Sequence, residues 1–269
     1  MKIFVSDIDG TLYSHESFSI PELTKTTQAF QALKQRGIPI VFATARILAG
    51  CFSILECLHL KAEEVYLVTG NGAEVYHGKY IYEAVLPPTL IQELYDYALQ
   101  HDLVLGVDQA DCLLIQAYNS AFDEDRISLP IDLVVPHDFI KAIKHPVHKA
   151  SLTGSEKQIA EYFTLVHQRF SPYVNVCRAG KDYIDITEKE HTKAYGLKIL
   201  LEILQKQDDK VYYIGDSHND LELMARADVV GAVANAIVEC RALADIVVGS
   251  CEAGGVAEFI QWMLDEQDK

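Results

Sequence analysis

Short apolar runs and amphipathic segments alternate over the first 70 residues of the chain. The run 3–8 is rich in β-branched residues and predicts a buried strand. Apolar positions then recur at helical spacing through Phe30 and Leu33, and a helix is expected to end at Gly37. The next elements are predicted as strand 38–43, helix 48–55 and strand 65–69. This β-α-β-α-β order with short links is typical of a parallel sheet covered by helices.

The pattern changes after residue 72, where segments 74–76 and 79–85 predict a hairpin. From about residue 85 to 187 the chain contains more strand signals than helix signals, which is typical of a separate α+β module. Its predicted elements are helices 90–100 and 156–168, and strands 103–107, 112–118, 148–152, 174–178 and 182–187.

The first pattern resumes at Thr192. It predicts helices 193–205, 219–226, 236–243 and 255–264, and strands 211–214, 229–233 and 245–248. The predicted fold class is therefore α/β, a Rossmann-like core with a mostly parallel sheet, interrupted in sequence by an α+β domain. We expect residues 1–84 and 188–269 to form the core and residues 85–187 to form the inserted domain.

The chain has 269 residues, of which 39 are acidic and 23 basic, so its formal net charge is −16. Such an acidic protein has no general attraction for nucleic acid or an anionic membrane surface, so neither is expected as a partner. The apolar start at 1–5 is too short for a signal-peptide core, and no run is long enough to cross a membrane. The six cysteines include no CxxC pair, which favours reduced thiols and a cytoplasmic location. A monomer or a small homo-oligomer is expected.

Two carboxylates lie at the carboxyl end of the first predicted strand. Alternate residues of a strand point the same way, so Asp7 and Asp9 should both project from its carboxyl edge while Ile8 turns aside. Ligands of open parallel sheets bind at this edge, where the strand order reverses. Neighbouring carboxylates repel each other, and a cation such as Mg²⁺ relieves the repulsion. The competing interpretation is a turn in which the carboxylates and Gly10 only satisfy local backbone.

Other predicted strand ends carry polar groups as well. The second core strand ends in Thr44-Ala45-Arg46, whose hydroxyl and backbone N–H groups suit a phosphate oxygen, although threonine at such a place is often only a turn residue. Residues 215–220, Gly-Asp-Ser-His-Asn-Asp, add carboxylates and an amide at the start of a helix. The alternative to a functional role for these side chains is an ordinary N-cap of that helix by Asp216 or Ser217. Lys193 opens a helix, an electrostatically disfavoured position for a cation, which indicates that another group requires its charge there; a solvated surface lysine is the alternative.

These segments resemble the four motifs of the haloacid dehalogenase (HAD) superfamily. Residues 7–12, Thr44, Lys193 and residues 215–220 match the motifs in order, and the match is closest to the Cof-type phosphatase branch. One departure is Ala45, since the branch usually reads Thr-Gly-Arg. The resemblance extends to segments 71–73, 235–236, 244–245 and 254–257.

The resemblance implies a Mg²⁺-dependent phosphatase with an aspartyl-phosphate intermediate. Asp7 would be the nucleophile, and Asp9 would protonate the leaving group and then activate water. The implied metal residues are Asp7, Asp9 through its backbone carbonyl, Asp216 and, in the surrounding shell, Asp220. The implied phosphate-binding groups are Thr44, the Ala45 N–H, Lys193 and Asn219.

The insertion lies between Thr44 and Lys193, which in this family marks a C2-type cap that shapes substrate choice. The expected substrate is a small phosphorylated metabolite, such as a sugar phosphate or a phosphorylated cofactor precursor. Candidate substrate contacts are Asn71, Arg46, Arg178, Lys181 and Asp182, for which an ordinary surface role is the alternative.

Three other functions are compatible with parts of the pattern. A phosphosugar mutase of the same fold would require a cap that re-docks its phosphorylated product. A phospho-acceptor signalling domain would be about half this length and would lack a carboxylate two residues beyond the acceptor. A catalytically dead binding protein would be expected to lack Asp7 or Asp9, and both are present.

Overall fold

The structure is a computed structural model that describes residues 1–14, 16–109, 112–123, 131–179 and 181–266. The chain divides into two compact units. The first comprises Met1–Arg46, Cys51–Tyr82 and Thr192–Lys269, and the second comprises Ile47–Gly50 and Glu83–His191. The domain boundaries expected from the sequence, after residues 84 and 187, stay a prediction.

The strands of the described residues are numbered along the chain. They are β1 Lys2–Ser6, β2 Ile40–Ala43, β3 Tyr66–Thr69, β4 Glu74–Tyr76, β5 Tyr80–Glu83, β6 Val104–Asp108, β7 Cys112–Ile115, β8 Asp132–Val134, β9 Lys149–Thr153, β10 Val174–Ala179, β11 Tyr183–Glu188, β12 Lys210–Gly215, β13 Val229–Val233 and β14 Ile246–Val248.

The helices are numbered in the same way. They are α1 Leu23–Gln35, α2 Phe52–Cys57, α3 Pro88–Gln100, α4 Phe139–Ala142, α5 Glu156–Phe170, α6 Lys193–Leu204, α7 Leu221–Met224, α8 Val238–Leu243 and α9 Gly255–Asp265. Shorter 3-10 turns occur at Leu48–Cys51, Gly70–Gly72, His218–Asp220 and Cys251–Ala253. Within the described part of the chain, no helix combines the length and the apolar character that a bilayer crossing requires.

The first unit is built on an eight-stranded sheet with the order β14-β13-β12-β1-β2-β3-β4-β5. The six strands from β14 to β3 are parallel, and β4 pairs antiparallel with β3. The chain moves outward from β1 through β2 and β3, and it later returns to β12 on the other side of β1. The strand order therefore reverses between β1 and β12.

The two faces of this sheet are packed differently. On one face the ring of Phe30 in α1 packs between Phe4 and Phe42, with ring centroids 5.8 and 5.4 Å away, and Phe259 of α9 also contacts Phe4. Helix α6 packs against β3 and the turn at 70–72. Burial of each large apolar side chain contributes about 2–3 kcal/mol. The apolar runs of the parallel strands are thus buried on both sides, as expected for an α/β core.

Two glycines allow the start of α6 to approach the sheet. A Cβ at Gly196 would lie 2.5 Å from a methyl carbon of Val68 and 2.7 Å from the Cα of Gly72. A Cβ at Gly72, whose φ is +92°, would lie 2.1 Å from the carbonyl oxygen of Thr192. This close backbone contact fixes the first residue of the helix, Lys193, beside the carboxyl ends of the strands.

The second unit contains a six-stranded sheet with the order β10-β11-β9-β6-β7-β8. Its neighbouring strands are antiparallel except for β7 and β8. Side chains of one face form an apolar core with α3 and α5, and they include Leu105, Leu152 and Ile184. The other face carries polar groups, since Asp185 accepts hydrogen bonds from Lys149 Nζ at 2.8 Å and Ser151 Oγ at 2.7 Å. The predicted fold class, an α/β core with an α+β insertion, is confirmed.

Two short elements of the second unit were not predicted. Strand β8 has three residues at a sheet edge, with Asp132 and Val134 exposed, so it is too short for an alternating pattern to stand out. Helix α4 is a single turn capped by Asp138, whose carboxylate accepts the Lys141 N–H. In the first unit, the predicted helix 219–226 is instead a 3-10 turn followed by α7.

Candidate active site

The candidate active site lies at the carboxyl ends of β1 and β12, where the strand order reverses. Asp7 follows β1, and Asp216 follows β12. The Asp7 N–H donates to the carbonyl of Ile214 at 3.0 Å, which extends the strand pairing up to the carboxylates. Crevices at such reversal points are where open α/β sheets bind ligands. The sheet topology therefore brings together two acidic residues that are far apart in sequence.

Lys193 connects the carboxylates of this site. Its side chain is 1% exposed, and Nζ lies 2.6 Å from Asp7 Oδ1 and 2.7 Å from Asp220 Oδ1. Two buried carboxylates offset the cost of a cation at a helix N-terminus. The structure thus places two acidic partners at this lysine, and its predicted role in phosphate binding stays a prediction.

Asp220 is held from four directions. Its Oδ1 accepts from Lys193 Nζ and from the hydroxyl of Tyr213 at 2.5 Å, while its Oδ2 accepts the backbone N–H groups of Asp216 at 2.8 Å and Ser217 at 2.9 Å. The residue is fully buried. Both oxygens are therefore engaged with donors of the protein, and Asp220 anchors the lysine and the loop after β12.

Among the residues that the structure describes, the carboxylates of Asp7, Asp216 and Asp220 outnumber the one ammonium group, of Lys193, that lies among them. Burial raises the pKa of Asp7 well above its ordinary value; Lys193 opposes this change, whereas Asp220 and Asp216 add to it. Burial and the charge of Asp220 raise the pKa of Asp216 from 3.8 to about 6. Burial alone would lower the pKa of Lys193, but Asp220 and Asp7 raise it above its ordinary value, so the ammonium stays charged.

The acidic groups fit a divalent cation. One carboxylate oxygen each of Asp7, Asp216 and Asp220 lies within 4.8 Å of the other two. Thr11 Oγ1 donates to Asp216 Oδ1 at 2.8 Å, and a Cβ at Gly10 would lie 2.5 Å from Asp216 Oδ2, so any side chain at position 10 would crowd that oxygen. Hard oxygen ligands and the missing positive charge both suit Mg²⁺.

Asp9 is paired with Arg46. The Nε and Nη2 atoms of Arg46 donate to the two oxygens of Asp9 at 2.9 and 2.7 Å, and the ring of Tyr13 lies 4.6 Å from the guanidinium carbon. The Arg46 side chain is 3% exposed, whereas that of Asp9 is 28% exposed. This two-pronged contact fixes the direction of the Asp9 carboxylate while leaving it accessible. A substrate contact of Arg46 stays a prediction.

The predicted phosphate-binding loop is joined to the loop after β12 through Asn71. Its backbone has a left-handed φ of +54°, and its N–H donates to the carbonyl of Thr44 at 3.0 Å. Its side-chain oxygen accepts from Asn219 Nδ2 at 3.2 Å. The hydroxyl of buried Thr44 accepts the Arg46 N–H at 3.1 Å, and Ala45 between them is half-buried. Asn71 thus orients Asn219, and a substrate contact of Asn71 stays a prediction.

The other predicted substrate residues belong to the second unit. Arg178 lies in β10 with an exposed side chain, opposite Ile184 of β11. Lys181 is exposed, and the backbone carbonyl of half-buried Asp182 accepts the Gly154 N–H at 3.3 Å. Their role in substrate binding stays a prediction.

Sequence reasoning assigned no role to three residues that shape the site. Thr11 holds Asp216, Tyr213 holds Asp220, and Asn235 Nδ2 donates to the carbonyl of Gly10 at 2.8 Å. Thr11 is part of the first motif and could have been singled out there. Tyr213 lies in an apolar strand run that predicts only burial, so its contact could not be found without the fold.

Comparison with known proteins gives one family and a consistent fold. A family profile described as haloacid dehalogenase-like hydrolase matches residues 4–260. The HMP-PP phosphatase of Cronobacter sakazakii is 24% identical over 274 residues, which cover 96% of this chain and 94% of that protein. A haloacid dehalogenase-like hydrolase from Bacteroides thetaiotaomicron has a similar structure, with a TM-score of 0.88, 24% identity and coverage of 97% and 99% of the two chains. The sugar phosphatase BT4131 of HAD subclass IIB has a TM-score of 0.80, 22% identity and coverage of 98% and 99%.

Proposed function

The chain belongs to the haloacid dehalogenase-like hydrolases, and from this premise we propose that it is a Mg²⁺-dependent phosphatase of small phosphate monoesters. The observation that carries the proposal is the buried contact of Asp7 with Lys193 beside Asp216, at the point where the strand order reverses. It combines a nucleophile, a phosphate-attracting cation and metal ligands in one place. The names of the HMP-PP phosphatase and the sugar phosphatase support a phosphorylated metabolite as substrate.

In the proposed reaction, a carboxylate oxygen of Asp7 attacks phosphorus, the bond to the leaving alkoxide breaks, and an aspartyl-phosphate forms. Asp9 donates a proton to the alkoxide and then takes one from the water that hydrolyses the aspartyl-phosphate. Because Arg46 holds both oxygens of Asp9, at least one of these hydrogen bonds has to loosen when Asp9 carries the proton. Lys193, Thr44, the Ala45 N–H and Asn219 bind the phosphoryl oxygens and stabilise their charge in the transition state.

Asp7, Asp216 and the backbone carbonyl of Asp9 would hold Mg²⁺, with Asp220 and Asn219 in the surrounding shell. The bound ion would screen the nucleophile from the anionic substrate and stabilise the charge of the transition state. The four donors on Asp220 support its place outside the direct ligands.

We also propose that the second unit is the cap and that it selects the substrate, with Arg178, Lys181 and Asp182 as candidate contacts. A sugar phosphate or a phosphorylated cofactor precursor is the proposed substrate class. The six cysteines are free thiols, which agrees with the reducing cytoplasm that we propose as the compartment.

The proposed activity is tested with purified protein and p-nitrophenyl phosphate, followed by a panel of sugar phosphates and phosphorylated cofactor precursors. We expect Mg²⁺-dependent release of inorganic phosphate, complete loss of activity in excess EDTA and recovery when Mg²⁺ is restored. Activity that is indifferent to the chelator would contradict the metal assignment. A phosphorylated product in place of inorganic phosphate would instead support the mutase.

Binding of Mg²⁺ should depend on pH through Asp216. The pKa of Asp216 in the folded protein is about 6, above its ordinary value of 3.8. As the pH falls from 7.5 toward 5, this carboxylate therefore takes up a proton in the folded, metal-free protein while it stays charged in the unfolded chain. The proton uptake stabilises the folded state. At pH 7.5 the Asp216 carboxylate is charged, and a bound cation can neutralise that charge. We therefore expect Mg²⁺ to raise the melting temperature by a few degrees at pH 7.5 and by much less at pH 5.

The measurement is thermal unfolding with and without Mg²⁺ at constant ionic strength, for the natural protein and for Asp216→Asn. The variant should lose most of the Mg²⁺-induced shift at pH 7.5. An equal shift at both pH values, or an unchanged shift in the variant, would contradict Asp216 as a ligand.

A further inference from the structure

We propose that Tyr213 is a positioning residue for the phosphatase reaction: its hydroxyl fixes Asp220, which in turn fixes the Lys193 ammonium against Asp7. The inference rests on the proposed function and adds a residue to it. It concerns side chains of the first unit only, all of which are buried. Tyr213 contacts neither nucleophile nor substrate in this scheme and acts through Asp220.

The geometry gives Asp220 two independent supports. The backbone N–H groups of Asp216 and Ser217 hold Oδ2, and the Tyr213 hydroxyl holds Oδ1 at 2.5 Å. Lys193 Nζ binds the same Oδ1 at 2.7 Å. Without the hydroxyl, Oδ1 keeps the hydrogen bond from Lys193, but that ammonium can move together with the oxygen. The carboxylate then rotates more easily, which also weakens its hydrogen bonds at Oδ2.

The position of Lys193 matters more for the transition state than for the bound substrate. Charge on the phosphoryl oxygens is stabilised by donors that are already in place, and each misplaced donor lowers the rate of the chemical step. A loosened ammonium still attracts the phosphate electrostatically, so ground-state binding changes little. The expected signature of losing the hydroxyl is therefore a lower kcat with a nearly unchanged KM.

Strand β12 offers a matched control at the preceding position. Tyr212 is 1% exposed and Tyr213 is 0% exposed, but the two side chains lie on opposite faces of the sheet. The hydroxyl of Tyr212 lies 3.3 Å from Glu266 Oε2, at the end of α9. Tyr212→Phe and Tyr213→Phe thus remove the same atom from neighbouring buried sites, and only one of the two sites touches Asp220.

The first experiment compares the steady-state kinetics of both variants with those of the natural protein, using p-nitrophenyl phosphate and Mg²⁺. For Tyr213→Phe we expect kcat to fall about tenfold with KM changed by less than about twofold, the effect of losing one hydrogen bond to a charged group. Tyr212→Phe should retain the natural kcat. Equal kcat values in the two variants, or a change confined to KM, would overturn the inference.

The second experiment does not depend on catalysis. Amide hydrogen exchange is measured for Asp216 and Ser217, whose N–H groups bind Asp220 Oδ2. Tyr213→Phe should accelerate exchange at these two amides while the strands of the sheet keep their protection, and Tyr212→Phe should leave them unchanged. An unchanged exchange rate in Tyr213→Phe would overturn the positioning role even if the natural protein proves inactive. Absence of activity in the natural protein would instead count against the proposed function alone.

Discussion

Replacement of Asp7 by Asn is expected to lower kcat about 10⁴-fold while the protein remains folded. The amide keeps the shape of the carboxylate and can still accept from Lys193, but its oxygen is too weak a nucleophile to attack phosphorus. Because burial and the neighbouring carboxylates raise the pKa of Asp7, a neutral side chain is tolerated well at this position. In metal-free buffer at pH 7.5 the free energy of unfolding should therefore equal or exceed that of the natural protein.

The measurements are phosphate release with Mg²⁺ and chemical denaturation with urea. Asp228→Asn is the matched control, since Asp228 precedes β13 at the other edge of the sheet and its carboxylate accepts the Val211 N–H at 2.8 Å. That variant should keep its activity and lose some stability. Wild-type turnover in Asp7→Asn would rule out the nucleophile and with it the aspartyl-phosphate.

Replacement of Lys193 by Met is expected to abolish activity and to lower the free energy of unfolding by about 3–5 kcal/mol. Met has a similar length but no charge, so the substitution removes the ammonium that bridges Asp7 and Asp220, and both carboxylates are nearly inaccessible to water. The negative charges of Asp7 and Asp220 then remain buried without a cation between them. Loss of the cation also removes charge stabilisation from the phosphoryl oxygens.

Two further variants separate the electrostatic cost from simple damage to the helix. Lys198→Met, also in α6, removes a lysine that is 58% exposed and 3.7 Å from Glu202, and it should change stability by no more than about 0.5 kcal/mol. The double variant Lys193→Met, Asp220→Asn should recover part of the lost stability without recovering activity. Equal destabilisation by the two lysine variants would show that Lys193 does not compensate buried charge.

The positions of the candidate site residues in the fold were predictable because these residues follow strands that the sequence pattern predicts. Asp7 and Asp9 immediately follow a short apolar run, and the acidic residues 215–220 follow another, so the sheet edge was the natural place for both. The position of Lys193 at a helix start indicated that its charge has a partner, but the sequence did not identify that partner. Membership in the haloacid dehalogenase-like hydrolases, predicted from these segments, is confirmed.

The contacts between side chains of the candidate site could not be predicted from the sequence. The contacts of the Arg46 guanidinium with Asp9 and of Asn71 with Asn219 were not predicted, and the predicted substrate contacts of Arg46 and Asn71 stay predictions. The two observed contacts join loops that are separated by dozens of residues, and loop conformation depends on packing that no local pattern specifies. Short elements such as β8 and α4 were missed because a few residues carry too little periodicity to distinguish them from loops.

The sequence by itself determined the order of the longer strands and helices, the polar residues at the strand ends and the chemistry they could perform, since periodicity and turn residues act locally. The tertiary structure decided which of these groups touch. The return of the chain to β12 beside β1 brings Asp216 and Asp220 to Asp7, and two glycines let α6 place Lys193 between them. Tyr213 shows the difference most clearly, because its strand position predicts only burial, and its hydrogen bond to Asp220 exists only once distant segments have packed together.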